Sequence, residues 1–317
     1  MKPLSIGSRG SALALWQAEH VRRLLRERIG ADATIIVIKT AGDRAVDVPF
    51  GRVGTKGMFL KELEDALLDG RIDLAVHSLK DVPTEMPAGL TLAAFLERDD
   101  VRDALVSRTG AKLDALPPRA RIGTSSLRRA SQLRHYRPNL GVAEIRGNVD
   151  TRLSKLDRGD YDAIVLAKAG LDRLGLSQRI TEILPAEISL PAAGQGALTI
   201  EARADDAELI DRVRKLDHAE TRACVETERE LLAALGGGCQ IPVGAWARIE
   251  PARGEDQQLV LDAVVLSPDG TDYLRRQATG RADRARELGR SLAADLIADG
   301  ADRILAQGGG TRAGSAP

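Results

Sequence analysis

The chain has 317 residues, 43% of them apolar, with 46 basic and 46 acidic side chains and an aromatic content of 3%. That length suffices for two or three domains with cores of their own, and neutrality with few stacking rings excludes the usual profile of a nucleic-acid binder. Two cysteines build no disulfide framework and suit a reducing compartment. Four histidines in no ligand spacing argue against a metal site. No segment approaches the roughly 18 uninterrupted apolar residues of a membrane span. The opening stretch "MKPLSIGSRGSALALW" lacks an apolar signal core, so a cytoplasmic protein away from membranes is expected.

In chain order, "LSIGSRGSALALWQAEHVRRLL" (4–25) reads as a short strand, a Gly-Ser turn and an amphipathic helix. "FLKELEDALLDGRIDLAVHSLKD" (59–81) reads as a helix, a glycine stop and the strand "IDLAVHS". "ARIGTSSLRRASQLRHY" (120–136) repeats the grammar of the first segment, and "TRLSKLDRGDYDAIVLAKAG" (151–170) that of the second. Glycines sit where the helices should end. The apolar strands are those of a parallel sheet covered on both faces. Two α/β lobes built from the same elements in the same order are therefore expected.

Ala219–Leu235 reads as a further helix. "QLVLDAVVLSPDGTDYLRRQATG" (258–280) reads as a hairpin turning at Pro-Asp-Gly, and "ARELGRSLAADLIADG" as a last helix. These make a third, α+β domain, followed by a disordered tail, "GGGTRAGSAP". Neither those glycines nor "GRVGTKG" (51–57) carries the Gly-Lys-Ser/Thr ending of a phosphate loop.

Net neutrality hides a local imbalance. Between Arg121 and Arg158, arginine and lysine outnumber the acids. Arg128 and Arg129 fall in the first turn of a helix that starts at Thr124, Ser125 and Ser126. Cations there oppose the helix dipole, and an acid would be the favourable neighbour of a mere cap. Hydroxyls, free backbone N–H groups and two guanidinium groups together suit an anion. Arg146, Arg152 and Lys155 follow, and the first lobe repeats the device at smaller scale with Ser8, Arg9, Gly10 and Ser11. A solvated basic face is the plainer reading of any single arginine. Two helix starts decorated alike favour a polyanion lying between the lobes.

Asp81 closes "AVHSLKDVP", where a buried strand runs out beside Lys80; ligands of open α/β sheets sit beyond such strand ends. It reads either as a surface partner of Lys80 or as a catalytic carboxylate. Cys224 shares a helix face with Leu231 and Leu235 and reads as core. Cys239, inside "LGGGCQIPVGAW" (235–246), has no periodic company. A bent, glycine-rich loop is where something bulky must approach a thiol.

"GSRGSALALWQA", "GTKGMFLKELEDALLDGRIDLAVHSLKDVP", "IGTSSLRRASQL", "IRGNVDTRLSKLDRGDYDAIVLAKAGL", "EISLPAAGQGALTIE" and "LGGGCQIPVGA" together resemble the porphobilinogen deaminase, or hydroxymethylbilane synthase, family, in order from about residue 5 to about residue 305. The resemblance implies an α/β fold of two periplasmic-binding-protein-like lobes plus a smaller C-terminal α+β domain carrying the cofactor cysteine. The expected bounds are 1–96 with 197–214 for the first lobe, 97–196 for the second, 215–309 for the third domain and 310–317 for the tail.

It also implies a transferase that joins four porphobilinogen molecules head-to-tail on a dipyrromethane cofactor, held as a thioether on Cys239, and releases linear hydroxymethylbilane for heme-type tetrapyrrole biosynthesis. Asp81 is then the catalytic carboxylate. Lys80, Thr124, Ser125, Ser126, Arg128 and Arg129 would hold cofactor carboxylates, and Arg9, Ser11, Arg146 and Arg152 would face the substrate. No metal is implied, and a monomer is expected. Residues 41–57 resemble the family's loop over the cleft; Arg52 stands there where relatives carry lysine, so it is given no contact. The rival is a non-catalytic two-lobed anion-binding or sensor protein, which the fold alone would not separate from an enzyme. That rival gives Cys239 no task.

Overall fold

The computed structural model describes residues 3–40, 60–237, 241–251 and 257–309. The 41–57 stretch with Arg52, Cys239 itself and the 310–317 tail lie outside the described residues.

The chain opens with β1 (Leu4–Ser8), α1 (Ala12–Ile29), β2 (Ala33–Val37), α2 (Lys61–Leu68), β3 (Leu74–Ser78) and β4 (Leu90–Phe95). It then enters a second sheet with β5 (Asp103–Ser107), β6 (Arg121–Gly123), α3 (Leu127–Tyr136), β7 (Gly141–Ala143), α4 (Val149–Asp157), β8 (Ala163–Ala167), α5 (Lys168–Arg173) and β9 (Glu182–Ile183). It returns to the first sheet as β10 (Leu198–Arg203), followed by α6 (Ala207–Val213). A third unit follows: α7 (Ala219–Ala234), β11 (Val243–Pro251), β12 (Gln257–Leu266), β13 (Tyr273–Gly280), α8 (Ala285–Ala298) and α9 (Ala301–Gly309).

The first sheet has the order β2-β1-β3-β10-β4 and the second β7-β6-β8-β5-β9. In the first, β1 is parallel to β2 and β3, and β10 runs antiparallel between β3 and β4. In the second, β6 is parallel to β7 and β8, and β5 runs antiparallel between β8 and β9. The two sheets therefore share one topology. The segment pairs read from the sequence, β1–α1 with β6–α3 and α2–β3 with α4–β8, occupy matching places in it.

Each sheet is apolar on both faces, as its strands demand. In the first, Ile6, Val21, Leu25, Leu74 and Ile200 pack on one side and Leu63, Leu67, Ile72 and Leu90 on the other. In the second, Leu105, Ile122, Leu133 and Val165 form one layer and Ile145, Leu156, Ile164 and Leu171 the other. The third unit sets α7 and α8 against an antiparallel β11-β12-β13 sheet over a core that includes Leu231, Leu261, Leu292 and Leu296. Cys224 belongs to this core beside Leu231 and Leu235, and burial pushes its thiol up to about 12. It is inert at neutral pH.

The third unit grips both sheets. Glu228 of α7, fully buried, takes both terminal nitrogens of Arg98 at 2.7 and 3.0 Å and also accepts from the backbone N–H groups of Gly194 and Ala247. Arg229 donates to the carbonyls of Val82 and Pro83. The turn between β12 and β13 clasps α3: Arg134 and Ser131 donate to the Pro268 carbonyl, and the His135 ring stacks on Tyr273 with centroids 4.2 Å apart.

Candidate active site

The expected site residues emerge at the carboxyl ends of strands, where open α/β sheets hold ligands. Arg9 follows β1, Lys80 and Asp81 form a short turn after β3, Thr124 to Arg129 follow β6, and Arg146 and Arg152 follow β7.

Around α3 the local chemistry is legible. Ser126 caps the helix by accepting from the Arg129 N–H, and Thr124 Oγ1 accepts from the Ser126 N–H at 3.2 Å. Ser125 is exposed, and its hydroxyl donates to the Ile145 carbonyl. The first turn holds no acid of its own. The acid comes from elsewhere. Asp103 of β5, with no exposed surface, accepts from Arg128 Nη1 at 2.8 Å and from Arg129 Nε and Nη2 at 3.0 and 2.7 Å. Ser189 and Gln195 also donate to it, at 2.7 and 2.8 Å. Burial alone would push the Asp103 carboxyl up, but the two guanidinium groups outweigh it and hold the carboxyl well below the usual range. Sequence reasoning missed Asp103 because it lies on another strand, far from α3 along the chain, in a run with no periodic signal.

Asp103 does not exhaust the cations. Arg128 also donates to the Leu190 carbonyl at 2.6 Å, yet its Nε–H is buried without a partner. Lys80 donates to Gln195 Oε1 at 3.4 Å. Burial first, then the nearby Arg129, lower the Lys80 ammonium to about 8, while Asp81 and Asp103 oppose the shift. Arg152 donates to the Gly147 carbonyl at 2.8 Å, and burial and Arg129 lower it to about 10 against the pull of Asp81. The turn after β3 and the start of α4 therefore lie within electrostatic reach of each other and of Arg129, across the two lobes.

Among the described residues, four cations, Lys80, Arg128, Arg129 and Arg152, are coupled with two carboxylates, Asp81 and Asp103. Such under-compensation in a shielded place favours an anion of several charges. Asp81 is exposed at its mouth.

The remaining candidates are placed less tellingly. Arg146 pairs with Glu144 at 2.7 Å. Ser11 caps α1 by accepting from the Ala14 N–H at 3.3 Å, so it has a structural task whatever else it does. Arg9 is half-buried beside it. Cys239 lies outside the described residues, but both approaches to it are fixed. Gly237 takes a left-handed φ of 30°, and a Cβ there would stand 2.7 Å from Thr84 Oγ1, three residues past Asp81. On the far side, the Ala245 N–H donates to the Pro191 carbonyl at 2.9 Å, next to the Leu190 that holds Arg128.

If Lys80 is a ligand cation, binding is expected to depend on pH. Its folded value is lowered, so the free site carries the full charge below about pH 8 and loses it as pH rises through that value. A bound polyanion would raise it again. Binding of an acidic ligand near pH 8.5 is expected to take up a proton, seen as a binding enthalpy that varies with the ionisation enthalpy of the buffer. A buffer-independent enthalpy would count against Lys80 as a ligand cation.

Two lobes of one topology, with a cation-rich cluster at their strand ends and a third unit packed against both, define a two-lobed α/β protein with an added C-terminal α+β unit. A family model described as porphobilinogen deaminase, dipyromethane cofactor binding domain, matches residues 4–211, and one described as porphobilinogen deaminase, C-terminal domain, matches residues 222–298. Relatives named porphobilinogen deaminase include those of Desulforudis audaxviator, 53% identical over 95% of this chain and 96% of the relative, and Bordetella parapertussis, 53% identical over 96% of each. That of Methylobacillus flagellatus is 51% identical over 96% of this chain and 97% of its own. Among solved structures, the chain is similar to an ABC-transporter periplasmic substrate-binding protein from Coxiella burnetii, at 17% identity and a TM-score of 0.42 over 67% of this chain and 91% of that one.

The chain belongs to the porphobilinogen deaminase family. It is an enzyme of that class, a transferase of tetrapyrrole biosynthesis with a dipyrromethane cofactor-binding domain. The non-catalytic binding module is set aside. No helix among the described residues is long and apolar enough to cross a membrane.

Proposed function

We propose that Cys239 holds the dipyrromethane as a thioether, that Lys80, Thr124, Ser125, Ser126, Arg128 and Arg129 receive its carboxylates, and that Arg9, Ser11, Arg146 and Arg152 receive those of porphobilinogen. The single observation behind this reading is the excess of cations over carboxylates among the described residues that couple Lys80, Arg128, Arg129 and Arg152, together with the buried Arg128 Nε–H that has no hydrogen-bond partner. The donor set fits a polycarboxylate: planar guanidinium forks take carboxylates two bonds at a time. When bound, the cofactor supplies the nucleophilic pyrrole carbon on which the chain grows.

The protein's own side chains do the rest. As ammonia leaves the substrate, positive charge develops on the substrate's pyrrole nitrogen, and the Asp81 carboxylate opposes it and accepts a hydrogen bond from that N–H without removing its proton. The same carboxylate then accepts the proton lost from the carbon that has formed the new bond. Lys80 and Arg152, both electrostatically coupled to Asp81, hold the acidic ring substituents. The reading extends to a monomer in the cytoplasm, in keeping with a thiol chemistry that needs reducing conditions.

The test is intact mass. Wild-type protein incubated with porphobilinogen is expected to carry a mass excess of two condensed porphobilinogen units, and Cys239→Ser to carry none. An unchanged wild-type mass, or an equal excess in the variant, would sink the assignment.

A further inference from the structure

Between the lobes, at the return crossing, sits Gln195, with no exposed surface. Its side-chain oxygen accepts from Lys80 Nζ of the first lobe and from Arg129 Nη2 of the second, each at 3.4 Å. Its side-chain nitrogen donates to the Val101 carbonyl at 2.6 Å and to Asp103 Oδ1 at 2.8 Å. The orientation of the amide is therefore dictated. Turned over, it would set an NH₂ against two cations and an oxygen against two acceptors.

The backbone is equally constrained. Gly194 and Gly196 have φ of 74° and 88°, and a Cβ on them would stand 2.8 Å from Leu79 Cγ and 2.6 Å from the Asp99 carbonyl. Leu79 adjoins Lys80, so the crossing is pressed directly onto the turn that carries the catalytic carboxylate. Arg98 adds a bond of 2.8 Å to the Gln195 carbonyl.

We propose that Gln195 is a positioning residue for the reaction: one neutral amide that holds Lys80 and Arg129 from opposite lobes at a set separation without adding a counter-charge, so that the Lys80 ammonium keeps its charge for acidic ligands. The inference rests on the reading of Lys80 as a ligand cation. A carboxylate at this place would hold the two cations more tightly but cancel charge that the ligand needs. An apolar side chain would leave them repelling each other. A carbonyl dipole offsets the repulsion and consumes no charge. The bonds are also unequal. The two short ones tie the amide to the Val101–Asp103 stretch, and the two long ones reach the cations. In any separation of the lobes, the short bonds would keep Gln195 with Asp103, and Lys80 would be the partner released.

The pH dependence of kcat/KM in the loaded, full-length enzyme tests this, because a merely structural residue would lower activity without moving an ionisation. Lys80→Gln is expected to remove the alkaline limb that the Lys80 ammonium produces. Gln195→Glu is expected to move that limb up by at least half a pH unit. Gln195→Met, which keeps the side-chain length, is expected to move it down and stands in if the glutamate variant does not fold. A limb unmoved in the Gln195 variants, with Lys80→Gln abolishing it, overturns the role of Gln195 alone. A limb that survives Lys80→Gln overturns the reading of Lys80, and this inference with it.

Discussion

Asp81→Asn is expected to lower turnover by about 10²–10⁴-fold, the usual worth of a positioned general acid–base, while keeping the fold and the loaded cofactor. Asp81 is exposed on a three-residue turn, so losing its charge costs the fold little. It is also the carboxylate that opposes the lowering of both Lys80 and Arg152. The variant should bind substrate through its cations and stall at the proton transfers. KM should therefore change far less than kcat. Single-turnover kinetics on protein whose cofactor mass has been verified make the comparison, and near-normal turnover in such protein would remove Asp81 from the chemistry.

Asp103→Asn carries the second large effect, on stability rather than chemistry. It leaves Arg128 and Arg129, 4% and 6% exposed, without their shared counter-ion. Breaking a buried ion pair from one side costs about 3–5 kcal/mol, which is a large share of what holds a domain of this size together. The pH sense follows from the carboxyl being held low in the folded protein. Its stabilisation is present above the ordinary carboxylate value near 3.9 and falls away only as pH drops through the lower folded value. Wild type should therefore keep the contribution at any mildly acidic pH. The variant should lack it at pH 7, visible as a lower denaturation midpoint at an unchanged slope. Equal midpoints would mean that the cations find other partners.

The contrast between these residues shows what the sequence made visible. Asp81 could be singled out as a candidate because it follows, three residues on, an apolar strand run, "IDLAVHS", whose boundary is written locally. The pairing of β1–α1 with β6–α3 was legible for the same reason: a strand, a small-residue turn and an amphipathic helix are all short-range patterns. The Pro-Asp-Gly turn between β12 and β13 and the core placement of Cys224 likewise needed nothing beyond neighbours in the chain. Arg128 and Arg129 were visible as an anomaly, cations at a helix start, but the anomaly pointed to an anion without saying that Asp103 supplies part of it. Asp103, Gln195, Arg98 and Glu228 act through partners that are mostly 25 or more residues away. Their side chains have no periodicity to betray them. The return of the chain as β10 was an expectation of family resemblance alone; "LTIEAR" by itself reads as a strand of no particular sheet.

That late return has a consequence for how the protein is made. β4 pairs with β10, and β10 with β3, so nothing joins β4 to the rest of its sheet until Leu198–Arg203 is in place. Every strand of the second sheet, by contrast, lies between Asp103 and Ile183. On a ribosome delivering residues in order, the second lobe can close its sheet while the first still waits with an open gap between β3 and β4. The lobe that begins the chain is completed after the one that follows it, and until then its unpaired edges are the stretch of nascent chain most in need of protection from neighbours.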